Sequence, residues 1–76
     1  MSDAYDQAIA TNVRVELARR NIRQNAVAKA IGISKQSFGN RCRGNVPFSA
    51  AELLLVASVI DIPAEELFRI DTKASA

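Results

Sequence analysis

Lys35, Gln36, Ser37 and Asn40 lie close together on a stretch whose apolar positions keep helical spacing. Gln36 and Asn40 are four residues apart, so a helix projects both to the same side. Each amide offers a donor and an acceptor, Lys35 adds a charged donor, and the Ser37 hydroxyl serves as either. Such a set suits nucleobase edges: an amide pairs in bidentate fashion with adenine, and an amine donates to guanine. Ser37 can bond a base or a phosphate. Arg41, Arg43 and Asn45 close the same stretch, and Arg43 and Asn45 are better placed there for phosphates than for bases. Arg41 is either a phosphate ligand or a plain surface charge. Gly39 either lets the backbone approach a ligand closely or packs tightly against a neighbouring helix. Upstream, Arg23 and Gln24 open another helical pattern. A helix N-terminus favours an anion, so this pair can hold one phosphate, although an exposed helix start also accounts for Gln24.

Catalytic chemistry is poorly supplied. The chain has no histidine, hence no imidazole base or ligand. No glycine-rich phosphate loop appears, and ligands for a metal are lacking. Cys42 sits alone in an apolar stripe. Glu65-Glu66 reads as helix-start charge rather than a catalytic pair. No enzyme, cofactor, metal or small-molecule ligand is expected.

The elements that must carry these residues are short helices. Val27, Ala28 and Ile31 form one apolar face, and Ile33, Phe38 and Cys42 form the next. Gly32 between them supplies the left-handed residue that reverses the chain, and Ser34 stands where an N-cap belongs. Helices are expected over about 24–31 and 35–43, the second ended by Gly44. Before them, Tyr5, Ile9, Val13 and Leu17 draw one stripe on a helix from about Asp3 to Arg20, capped by Ser2 or Asp3. Asn21 ends that helix and Ile22 drops into the core. After the Val46-Pro47 loop, Ser49 and Glu52 form a capping box, with Phe48 and Leu53 placed as its hydrophobic staple. The helix it opens runs to about Ile60 and turns Leu53, Val56, Ala57 and Ile60 inward. Leu54, Leu55 and Val59 are left over, to be covered by the last helix or by a second protomer. Pro63 starts that last helix, with Leu67, Phe68 and Ile70 as its apolar contacts. Residues 71–76 read as a flexible tail.

Seventy-six residues, 49% of them apolar, allow one small all-α domain over residues 3–70. A single cysteine excludes an internal disulfide and fits a cytosolic origin. No signal peptide and no membrane-spanning run is evident. The net charge of +2 conceals a sorting along the chain. Between residues 14 and 43 stand Arg14, Arg19, Arg20, Arg23, Lys29, Lys35, Arg41 and Arg43 against Glu16 alone. Residues 44–76 are net acidic. A duplex attracts such a basic segment by counterion release.

The segment IRQNAVAKAIGISKQSFGNRCRG resembles the helix-turn-helix of the lambda-repressor and Cro-like family. Gln24, Val27-Ala28, Gly32, Ser34 and Gly44 stand at the expected spacings, and the resemblance extends from about Ile9 to Phe68. It implies a five-helix fold that binds double-stranded operator DNA, usually as a symmetric homodimer, with the second helix of the motif in the major groove. It implies base contacts from Lys35, Gln36 and Asn40 with Ser37 beside them, and phosphate contacts from Gln24 and Arg43. Phe48, Leu55 and Val59 become candidates for the dimer interface, and the cytoplasm or nucleoid of a bacterial host the expected location. The implied role is a phage-type repressor or Cro-like regulator; an antitoxin or anti-repressor using the same fold is the alternative. Three positions depart from the family pattern. Arg23 replaces the usual small hydroxyl cap. Leu17 and Cys42 stand where many members pair an Arg with a Glu; exchanging both for apolar groups avoids a buried unpaired charge. Arg41 occupies a position that is often apolar.

Overall fold

The computed structural model describes residues 3–70. The cap expected of Ser2 or the Asp3 side chain, and the tail from Asp71 to Ala76, lie outside it. Five helices follow one another: α1 (Asp3–Arg19), α2 (Gln24–Ile31), α3 (Lys35–Cys42), α4 (Ala50–Ile60) and α5 (Glu65–Phe68). No strand occurs among the described residues, and none of these helices is long and apolar enough to cross a membrane. α1 packs against α3 and α5, while α2 packs against α3 and α4. α3 is therefore backed by two helices.

Three of the helix junctions use one device. Asn21, Gly32 and Asp61 each adopt a left-handed conformation, with φ of 56°, 84° and 61°. Each is followed by an isoleucine whose N–H reaches back to the helix: Ile22 to the Leu17 carbonyl, Ile33 and Ile62 to those of Ala28 and Ala57, at 2.9–3.1 Å. The three isoleucines pack against the core. This is a Schellman closure, in which a left-handed residue satisfies orphan carbonyls and returns an apolar side chain to the interior. Gly44, φ 81°, ends α3 similarly. The exposed Gln7 side chain lies over it and donates to the Gly44 carbonyl at 3.0 Å.

The helix starts follow the local signals. Ser34 Oγ accepts from the Ser37 N–H at 3.0 Å. Ser49 and Glu52 exchange both bonds of a capping box. Arg23 makes no side-chain cap on α2, as its side chain has no acceptor to offer. The core combines Val13, Leu17, Val27, Ala28, Phe38, Cys42, Leu53, Val56, Ala57, Ile60 and Leu67. α4 turns inward the four residues expected of it.

Two apolar expectations need correction. Tyr5 is 55% exposed, and Ala10 takes the inward place beside Val13. A four-residue step overshoots one helical turn by about 40°, so a stripe from Leu17 has swung about 120° aside by Tyr5. Phe68 is 40% exposed as well. α5 is a single turn that buries Leu67 alone, and it covers none of Leu54, Leu55 and Val59, which remain 43–57% exposed.

Candidate nucleic-acid interface

α2 and α3 meet across the Gly32–Ser34 turn and leave an open cleft of about 590 Å³. Gln24 and Asn25 from the start of α2, Ser34, and Lys35, Gln36, Gly39 and Arg43 from the α3 side line it. Four residues singled out from the sequence thus converge: Gln24, Lys35, Gln36 and Arg43. Asn25 was missed; its only sequence signal is its place in the first turn of α2. Ser37 and Asn40 are half-buried on α3 and do not line the cleft. Asn40 Oδ1 accepts from Arg43 Nη2 at 2.7 Å. Arg23 is exposed as the N-terminal flank of α2, and Asn45 is exposed beyond Gly44. No side chain caps α2; the Arg23 carbonyl accepts the Ala26 N–H at 3.1 Å, and the positive pole of the helix dipole lies at Gln24 and Asn25, which line the cleft.

The basic segment divides into two groups of cations. Arg19 and Arg20 both bond the carboxylate of Glu16, which is 8% exposed. Arg14 donates to the Cys42 carbonyl at the end of α3 and to Thr11 Oγ1 at 3.1 Å. Arg41 donates from Nε to Glu52 Oε1 at 3.0 Å and from Nη1 to the Ser37 carbonyl at 3.1 Å. Arg14 and Arg41 thus join separate elements, while Arg19 and Arg20 are engaged within α1. Arg23, Lys29, Lys35 and Arg43 make no ion pair among the described residues, and two of them line the cleft.

Arg41, open from the sequence between a phosphate ligand and a surface charge, is already engaged by Glu52. Its side chain is 21% exposed and spent on the capping box of α4. Glu52 is held below its ordinary pKa: burial alone would raise it, but the Ser49 N–H and the Arg41 guanidinium outweigh that. Phe48, a candidate for a dimer interface, is half-buried within its own chain, its ring edge-to-face on Phe38 at 5.8 Å and 71°. Leu55 and Val59 are exposed on α4 beside Leu54. Together with Ala51 and Ser58 they make an uncharged face opposite the core-facing residues.

Leu17 and Cys42 are both in the core, 2% and 0% exposed, so the joint apolar replacement at these positions is accommodated inside one cluster. Burial pushes the Cys42 thiol up to about 11, against partial opposition from Arg14 and Arg43. It is a packing residue, protonated at neutral pH.

The geometry is that of a small helical domain presenting one polar helix face, backed on both sides and free of acidic residues. No curated protein and no solved structure matches the chain. The family model of the BetR domain matches residues 4–76, nearly the whole length. The chain therefore belongs to the BetR domain family, a family of small helical domains.

Proposed function

We propose that this domain is a sequence-specific DNA-binding regulator of transcription, of the phage-repressor or Cro-like kind, that lays α3 in the major groove. The observation that carries the reading is the division of its cations. Where the chain needs charge for its own stability, arginines pair with Glu16 and Glu52. Around the α2–α3 cleft they have no acidic partner, which is the arrangement a polyanion rewards through counterion release.

In this reading Lys35 and Gln36 meet base edges, with Ser37 and Asn40 beside them. Gln24, Arg23 and the uncapped start of α2 hold one phosphate, and Asn45 approaches the backbone beyond α3. A second protomer covers Leu54, Leu55 and Val59, and the resulting two-fold dimer reads a palindrome. Occupancy of the operator blocks polymerase by exclusion. The reading requires no cofactor, metal or catalytic step.

Titrating a selected site and its single-base-pair variants by fluorescence anisotropy tests the residue roles. Gln36→Ala should relax preference at one base pair, at a cost of about 1–3 kcal/mol. Gln24→Ala should weaken all sequences alike. If both substitutions give the same uniform loss, α3 is not the reading helix. The exposed Leu54, Leu55 and Val59 also favour a second reading, an antitoxin- or anti-repressor-type module docking another protein. Absence of duplex binding at low salt would leave that reading standing.

A further inference from the structure

Arg43 lies just past α3, where the family resemblance implies a contact to phosphate. Its side chain does not follow the backbone outward. It folds back along the last turn of α3, and Nη2 donates to Asn40 Oδ1 at 2.7 Å. Gly39 makes the room. A Cβ there would stand 3.3 Å from Nη1 and 3.8 Å from Nη2, while Gly39 itself is buried. The guanidinium thus rests against α3 where a side chain is missing, on the wall of the cleft that holds Lys35, Gln36 and Gln24. The negative end of the α3 dipole favours the same position.

The hydrogen bond orients both side chains. A guanidinium carries donors only, so Asn40 must turn its oxygen toward it. That bond takes one of the two lone pairs of the Asn40 oxygen and fixes the orientation of its amide beside the guanidinium. Arg43 uses one of its five N–H groups on Asn40. Those left still include two parallel donors, which match O6 and N7 of guanine.

We propose that Arg43, seated over Gly39 and oriented by Asn40, reads a guanine in the major groove, as a specificity-determining residue and not a phosphate ligand. Asn40 is the positioning residue of this unit. The proposal rests on the DNA-binding function inferred above.

Selection from a random duplex library by the wild-type protein, Arg43→Lys and Gly39→Ala, with a thermal melt of each, tests it. The wild-type protein should enrich guanine at one position of each half-site. Arg43→Lys keeps the charge but loses the planar fork. It should lower that preference by roughly fivefold or more while the salt dependence stays unchanged. Gly39→Ala puts a methyl 3.3 Å from Nη1, tight enough to push the guanidinium off its seat by a few tenths of an ångström, and should weaken the same preference. Its Tm should rise by roughly 4–8 °C, because alanine replaces glycine inside a helix. Lost specificity in a more stable protein excludes unfolding as its cause. If Arg43→Lys leaves every base preference intact, Arg43 is a phosphate ligand and the guanine reading is overturned while the DNA-binding function stands. If the wild-type protein binds no duplex, both are overturned.

Discussion

Replacing Glu52 separates two contributions that meet at one oxygen. Glu52 Oε1 accepts the Ser49 N–H at 2.9 Å and the Arg41 Nε–H at 3.0 Å, joining the end of α3 to the start of α4. Glu52→Ala removes both. The capping bond is worth about 0.5–1 kcal/mol at a half-exposed helix start. A pair whose side chains are 20–21% exposed adds about 0.5–1 kcal/mol. Glu52→Ala should therefore cost about 1–2 kcal/mol, and Glu52→Gln, which keeps the capping acceptor, about half as much. For a domain of this size each kcal/mol lowers Tm by roughly 4–8 °C. The assay is thermal or urea unfolding of the three proteins from pH 7 down to pH 3. Because the folded-state pKa of Glu52 is depressed, its contribution is present above the ordinary value near 4.5 and is lost as pH falls through the lower folded value. The deficit of Glu52→Gln should thus shrink in acid, where the wild-type carboxyl becomes neutral. Equal losses in the two variants, or a Gln deficit that does not depend on pH, would refute the ion-pair bridge.

Arg41→Ala should lower Tm by a similar amount yet leave the salt dependence of DNA binding unchanged, since its guanidinium already serves Glu52; a slope shallower by about 2, one phosphate for each half of the dimer, would restore it as a phosphate ligand. Asn12 Nδ2 donates to the carbonyls of Leu67 and Arg69, at 3.0 and 2.6 Å, and ties α5 to α1. Asn12→Ala should cost about 1–2 kcal/mol in urea unfolding, and hydrogen exchange should show the loss concentrated in α5. Asp61 places a negative charge at the C-terminal pole of α4 in a left-handed conformation. Asp61→Asn should stabilise the fold by about 0.3–1 kcal/mol in the same assay. The Cys42 thiol, raised to about 11, should resist alkylation at pH 8 in the folded protein and react at once in denaturant. Its contribution to stability is present below pH 9 and is lost as pH climbs toward 11.

What could be read in the sequence was what is decided within a few residues. The Ser34 cap, the Ser49–Glu52 box and the left-handed Asn21 and Gly32 each close bonds across three to five positions, and residue type alone nearly determines them. The inward face of α4 followed from helical spacing. Asp61, also left-handed, reads only as a break, because the residue types that announce that conformation most clearly are Gly and Asn. The use of each cation was not legible. Arg14 meets a carbonyl 28 positions away and Arg41 a carboxylate eleven away, distances that only tertiary packing closes. From the sequence all eight cations of the basic segment look alike; in the structure half of them are engaged by groups of the chain itself. The cleft was legible for Gln24, Lys35 and Gln36, which lie at helix starts. Arg43 was harder, because its position depends on the missing side chain of Gly39. Tyr5 and Phe68 were misread because an apolar residue at a helix end can outrun the core it would pack on.

The proposed role of the α2–α3 face is to read duplex DNA. Selection by the wild-type chain from a random duplex library, at two salt concentrations, tests it most directly. A palindrome with half-sites about one helical turn apart should be enriched. Binding should weaken with salt at a log–log slope of roughly −2, from the one cationic phosphate contact, Arg23, that each half of a dimer supplies. Binding with no enriched sequence would contradict the reading role of α3, and no binding at the lower salt would contradict the DNA function itself.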